Sequence, residues 1–330
     1  MKIAVVILNW NGKPLLEQFL PSVIAHSPEA DIYVADNAST DDSVAYVESH
    51  FPTVRIIQNH HNLGYAGGYN EALKNVNADI YALVNSDIEV TQNWLLPIIA
   101  KFKNERKTAI VQPKILDYKN KDYFEYAGAA GGFIDRYGYP FCRGRIFETV
   151  EKDTQQYDDE TQIFWASGAC FFIRKSVFDA LHGFDTDFFA HQEEIDLCWR
   201  AFNAGHQIQY APKSVVYHVG GATLQQGNPR KTFLNFRNSL LMLVKNLPKS
   251  SLYRILISRM ILDGLAGIHF LLKGKPLHMF AIVKAHFSFY HLFSKTYKKR
   301  SSRQLPNYYQ TKSIIYRYFV KNNTIFAKHF

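Results

Sequence analysis

The sequence predicts an α/β fold, a mostly parallel sheet flanked by helices, continued by a basic helical extension. Three observations carry this. Apolar runs alternate with helix-period segments at about 20–30-residue spacing through the first half, the pattern of βαβ units. The runs end on polar or glycine-rich residues, which right-handed crossovers would gather along one sheet edge. Finally, residues 1–230 carry 20 basic and 28 acidic side chains, whereas 231–330 carry 18 and one. A charge split of that size marks two regions with different partners, 1–230 and 231–330.

The elements follow in order. IAVVILNW (3–10) is a buried strand, followed by the turn Asn11-Gly12 and the helix KPLLEQFLPSVIAH. DIYVADNAS (31–39) is a second strand, and Ser39, Thr40 or Asp41 caps the helix behind it. TVRIIQN (53–59) is a third, leading through HHNLGYAGGYN into the helix NEALKNV. DIYALVN (79–85) is a fourth. The stretch 112–145, rich in glycine, tyrosine and charge, reads as hairpins or a long loop over the site. Residues 164–185 read as a strand running into a helix capped by Gly183. QEEIDLCWRAFNAGH (192–206) is a helix closed by Gly205, and 207–221 returns as two short strands.

Bulk features narrow the classes. An apolar content of 47% supports a real core and argues against disorder. Cys142, Cys170 and Cys198 form no CxxC pattern, and Met1-Lys2 leads straight into a strand, so reduced thiols in a cytoplasmic chain are expected. The most apolar stretch, 255–272, is interrupted by Arg259, Asp263 and His269 and reads as non-spanning.

Four features bear on chemistry. Asp36, at a strand end, can accept the imide N–H of uracil or thymine, or form an Asx turn. In NLGYAGGYN (62–70), Gly64, Gly67 and Gly68 let backbone approach a ligand, and the next helix offers free N–H groups to phosphate; a plain loop is the other reading. Asn85-Ser86-Asp87 ends an apolar strand on a carboxylate. Mg²⁺ takes few protein carboxylates and fills its shell from phosphate and water, so Asp87 beside a diphosphate fits. Glu193, Glu194 and Asp196 crowd a helix start, where they either complement its dipole or, by repulsion and burial, raise one pKa toward that of a general base. His218 adds a nitrogen donor at the end of SVVYH.

In this order along roughly residues 1–240, the motifs VVILNWNG, VADNASTDDS, NLGYAGGYN, NSDIEV, SGACFFIRKSVFDALHGFDTDFF, EEIDLCWR, YHVGGAT and NFRNSLLMLVKN resemble family 2 glycosyltransferases, the inverting GT-A type, and most of all their rhamnosyltransferase-like branch. The resemblance implies that Asp36 contacts the nucleotide base, with Asn9, Asn37, Asn62, Gly64, Gly67, Gly68 and Asn85 also on the donor side. Asp87 corresponds to the last Asp of the family's DxD metal motif, with Asn85 in place of the first, and His218 helps hold Mg²⁺ or Mn²⁺. EEID resembles the ED-x-D signature, which makes Glu194 the base and Glu193 its alternative. Trp165, Ser167 and Asp196 fall on the acceptor side. The implied reaction moves a sugar from dTDP-rhamnose or a UDP-sugar to a glycan or polyprenyl-linked glycan in cell-surface polysaccharide assembly.

The basic C-terminal hundred residues alternate apolar helical segments with Lys and Arg. In 277–293, Phe280, Val283, Phe287 and Tyr290 share helical spacing. This reads as membrane-surface binding on the inner face of the cytoplasmic membrane; packing onto the catalytic domain is the alternative. Nucleic acid is not expected, because the aromatics lie on apolar faces rather than among exposed Arg. Two rivals keep the fold and change the function: a catalytically silent membrane-associated scaffold, and a sugar nucleotidyltransferase. The second usually needs a basic glycine-rich loop after the first strand, where Lys13 is here the only cation.

Overall fold

Alternate residues of the first strand, β1 (Ile3–Asn9), divide between two hydrophobic cores, Ile3, Val5 and Ile7 on one face and Ala4 and Val6 on the other. Both faces of the sheet are therefore covered, as the unbroken apolar runs require. A computed structural model describes residues 1–220 and 227–328. In chain order β1 is followed by α1 (Lys13–His26), β2 (Ala30–Asp36), α2 (Ser43–His50), β3 (Arg55–Gln58), α3 (Gly64–Ala72), β4 (Ile80–Asn85), β5 (Ile88–Val90), α4 (Leu95–Asn104) and β6 (Thr108–Asp117). Four short strands come next, β7 (Gly132–Ile134), β8 (Pro140–Cys142), β9 (Arg145–Ile146) and β10 (Thr149–Val150). Then follow β11 (Thr161–Ile163), β12 (Cys170–Arg174), α5 (Lys175–Ala180), α6 (Glu193–Asn203) and β13 (Gln207–His218). The extension is α7 (Pro229–Asn246), α8 (Leu252–Leu272) and α9 (Pro276–Lys298).

The main sheet runs β11-β13-β6-β12-β4-β1-β2-β3, with β5 pairing β13. Strands β3, β2, β1 and β4 are parallel neighbours, as are β6 and β13, while β12 runs antiparallel between the two groups. Register places Asn9 beside Asp36 and Leu8 beside Asn85, so the polar ends of β1, β2 and β4 share one edge. Of the stretch 112–145 expected as hairpins or a long loop, 112–117 belong instead to β6 of the main sheet; the hairpins begin at β7 and form a separate antiparallel sheet, β10-β9-β8-β7, joined to the segment before β12 through Gly132 and Trp165. The two short strands expected over 207–221 are instead one strand, β13. A register shift between Ala211 and Val215 lets Pro212 pass without donating to the ladder.

Packing is continuous across 230/231. Leu240 to Val244 of α7 and Leu252 of α8 lie fully buried in the same core as Tyr69 and Phe171. The charge of the extension changes there; its hydrophobic anchoring does not.

Candidate active site

The polar edge is built by asparagines and aspartates that hold one another. Asn9 is fully buried and donates to Asp36 Oδ1 and Ser39 Oγ, both at 3.2 Å, while its own Oδ1 has no partner among the described residues. Asp36 also accepts from the Ser39 amide at 2.9 Å, so the local-turn reading is realised. An ionised carboxylate has about four acceptor positions, which leaves capacity for a base imide. Asn37 donates to Asn62 Oδ1 and the Gly64 carbonyl and accepts from Asn59 and the Leu63 amide, fixing the loop before α3.

Strand pairing delivers the next group. Asp87 ends the β4 turn, and β5 pairs antiparallel with β13 so that Ile88 faces His218. His218 Nε2 thus lies 3.2 Å from Asp87 Oδ1. On its other side, Nδ1 is 3.3 Å from Oε1 of Glu125, a buried residue absent from the sequence-based set. Burial alone would push His218 down, but the two carboxylates outweigh it and raise the imidazole to about 10. Burial likewise pushes Asp87 up, and His218 more than offsets this, holding the carboxyl below its usual range. Among the described residues no three His, Cys, Asp or Glu side chains are grouped to hold a metal by themselves. To ligate a divalent ion that takes its other ligands from a diphosphate, His218 must first give up the Nε2 proton that it holds against Asp87; Glu125 stands beside its other nitrogen.

Glu193 and Glu194 open α6. Each has one oxygen, Oε2, that is buried without a partner among the described residues. Burial pushes Glu194 up to about 7, and burial followed by the Glu194 charge pushes Glu193 further. Glu193 is the more deeply enclosed; Glu194 keeps partial exposure. A Cβ placed on Gly168 would lie 3.6 Å from Glu194 Cδ, and Ala169 O accepts from Asn85 N at 2.9 Å. The Glu194 carboxyl therefore stands close to where β4 hands over to Asp87.

The turn before α6 is strained. Phe189 sits at φ 63°, ψ −61°, with the Ala190 amide donating to Phe188 O at 2.8 Å, a γ-turn of the rare hand. His191 (φ 70°) and Gln192 (φ 73°) are also left-handed, and each carries a buried polar atom without a partner among the described residues, Nε2 and Oε1. Such strain persists only where surroundings impose it. Asn238 of α7, fully buried, imposes it by donating to the carbonyls of Phe188 and Ala190 at 2.9 Å and of His191 at 2.7 Å. Burial lowers His191 to about 4, with Lys231 adding to the effect.

Several expected roles fall elsewhere. Two amides at the start of α3 are occupied: Gly64 donates to Asn62 Oδ1 at 2.9 Å and Ala66 to Phe189 O at 3.2 Å. The glycines serve packing. Gly64 has φ +68°, and a Cβ there would sit 2.5 Å from Phe189 O; on Gly67 it would meet Leu63, and on Gly68 it would meet Asn37. Asp196 is fully buried on Lys245, Arg200 and Asn246, each at 2.8 Å, and does not face the crevice. Trp165 is buried too, its indole N–H on Phe133 O at 2.7 Å and its ring against Gly132. Ser167 is held by Gln112 and Ala127. Of the YHVGGAT motif, residues 221–223 lie outside the described residues. An open depression of about 770 Å³ between α3 and α5, lined by Asn62, Gly67, Thr186 and Phe189 among others, contains neither Asp87 nor Glu194.

The family model for glycosyl transferase family 2 matches residues 4–181. Among curated proteins, the N-acetylglucosaminyl-diphospho-decaprenol L-rhamnosyltransferase of Mycobacterium tuberculosis is 24% identical over 231 residues, covering 66% of this chain and 75% of the relative. Among solved structures, GalNAc-T7 with UDP, GalNAc and Mn²⁺ superposes with a TM-score of 0.59 at 15% identity, covering 90% of this chain and 58% of that one. Residues 1–349 of Staphylococcus aureus TarS, in complex with UDP-GlcNAc, give 0.55 at 14% identity, covering 90% and 91%. These likenesses establish the GT-A fold.

Proposed function

Because the chain belongs to glycosyl transferase family 2, we propose that it is an inverting, metal-dependent transferase. It would move a sugar, rhamnose or a related hexose, from a dTDP or UDP donor to a glycan or polyprenyl-linked glycan at the cytoplasmic face of the membrane. What supports this reading is that Glu194, a carboxylate raised to about 7, lies against Gly168, whose neighbour Ala169 accepts from the Asn85 amide, and that Asp87 meets His218 at 3.2 Å.

In this reading Asp36 and Asn9 receive the base. Asp87, with His218 once deprotonated, would hold Mg²⁺ or Mn²⁺, which would supply Lewis-acid stabilisation of the departing diphosphate. Glu194 Oε takes the proton of an acceptor hydroxyl as that oxygen bonds to the anomeric carbon from the side opposite the diphosphate. The anomeric C–O bond breaks, and its electron pair leaves on the nucleoside diphosphate. A base works best with a pKa near the working pH, which favours Glu194 over the more enclosed Glu193. The Asp87–His218 contact and the raised Glu194 carboxyl favour this reading over a silent scaffold.

The test is thermal unfolding with a panel of dTDP- and UDP-sugars, with and without Mn²⁺, on wild type and Asp87→Ala. A ligand that binds only the folded state at 100-fold its Kd adds about 2.7 kcal/mol. A shift with one donor that needs Mn²⁺ and vanishes in the variant is expected. No shift with any donor, or an unchanged metal requirement in Asp87→Ala, would overturn the proposal.

A further inference from the structure

The polarity of α8 is inside out. Near its middle the charged residues face the protein, while Arg254 in its first turn is exposed: Asp263 is fully buried, Arg259 nearly so, and their side chains pair at 2.9 Å. Tyr139 OH (3.4 Å) and His286 Nε2 of α9 (3.2 Å) also meet Asp263, and Arg259 donates to Tyr137 O at 3.2 Å while lying 3.7 Å from the Tyr139 ring centroid. The opposite face carries Ile257, Ile261, Leu265 and Leu272, and α9 adds Phe280 and Phe287; these are 58–82% exposed. Spacings near four on α8 and seven on α9 keep each set on one helical face. Single exposed apolar residues are ordinary, but two packed helices with such stripes leave a surface that needs an occupant.

Charge selects the occupant. Asp263, buried and paired, is the only acid in residues 231–330, which carry 18 Lys and Arg. Lys273 and Lys275 stand exposed at the hairpin tip, beside Leu272 and Leu277. We propose that the exposed face of the α8–α9 hairpin seats on an anionic lipid bilayer, its apolar side chains in the acyl boundary and its cations among the headgroups. By length and composition alone α8 could cross a membrane. Crossing would tear Arg259 and Asp263 from Tyr137, Tyr139 and His286, so the hairpin lies in the interface instead. The far end of α9 is tied to the turn leading to α6, through Lys295 to Asp187 at 2.6 Å and Lys299 to Asp185 and Asp187 at 2.6 and 2.7 Å. A seated hairpin thus holds the catalytic crevice at a fixed position over the bilayer. None of this depends on the identity of the donor.

The experiment is flotation of the full chain with phosphatidylcholine vesicles, plain or with about 30 mol% phosphatidylglycerol. Wild type should float with the anionic vesicles only. Ile261→Asp/Leu265→Asp, both at exposed sites, should lower binding about 100-fold, and Lys273→Gln/Lys275→Gln about 30-fold. Each variant should melt like wild type away from lipid. Lys273→Cys on protein bound to sealed vesicles should stay open to an impermeant maleimide. Failure of wild type to float, equal flotation of the Ile261/Leu265 variant, or protection at 273 would each overturn the proposal. So would a solution dimer that the Ile261/Leu265 change dissociates, which would assign the face to a second copy.

Discussion

Glu194→Gln separates chemistry from stability in opposite directions. Glu194 has a pKa of about 7 in the folded protein against 4.5 as an ordinary glutamate, because burial disfavours its charge. An acid raised on folding lends its full stability below the unfolded pKa and loses it as pH rises through the folded one. At 1.36 kcal/mol per tenfold, ionised Glu194 costs the native state about 2–3 kcal/mol above pH 8, with its partial exposure taken off. Gln keeps the shape and removes the charge. The variant should therefore match wild type near pH 4 and exceed it progressively from pH 4.5 upward, reaching about 2–3 kcal/mol at pH 8.5 in urea unfolding. It should also relieve Glu193, which Glu194 pushes up. Transfer by the variant should fall at least 100-fold in kcat, the usual worth of a general base, with donor binding little changed. Wild-type kcat should rise with pH through about 7. A Glu194→Gln protein no more stable at pH 8.5 than wild type would refute the buried-carboxylate argument. One with near-normal kcat would refute the assignment of the base.

The remaining expectations come from the same contacts. Lys245→Met leaves Asp185 and Asp196 without their shared buried partner and should cost about 3–5 kcal/mol by urea unfolding. Both carboxyls are held below the ordinary range, with burial opposing and Lys245 lowering them. Their stabilisation is present above pH 4, is lost on acidification, and should shrink in that variant. Asn238→Ala strips donors from three carbonyls of the strained turn and should cost about 2–4 kcal/mol. At temperatures where the variant is folded it should still lower kcat more than donor affinity. Gly64→Ala combines a left-handed backbone with a 2.5 Å approach to Phe189 O and should lower the melting temperature measurably. The reference is Gly264→Ala, a position with nothing within 4 Å, which should be neutral or stabilising.

What was legible in the sequence is what periodicity and strand ends control. Asn9, Asp36 and Asn85 were readable as a shared edge because parallel strands of matched register must finish together. Glu125 was not readable. It lies in an irregular stretch more than ninety positions before His218, and only the pairing of β13 with β6 and β5 brings the two within 3.3 Å. The glycine loop was legible only in part. Composition says that Gly64 lets something come close, and the structure shows one such neighbour, the Phe189 carbonyl. NLGYAGGYN and FFAHQEE are thus two halves of one device: the first gives room to a strained turn, the second uses it to start α6 at Glu193. Asn238 completes the device from α7, in the region that charge alone had set apart. A clamp on three carbonyls leaves no sequence signature beyond an asparagine in an apolar helix. The same limit applies to α8, where the sequence showed an apolar stretch interrupted by charges but not which face turns outward. The buried Arg259–Asp263 pair decides that, and so the charges that made the segment read as non-spanning are the ones that hold its apolar face to the outside.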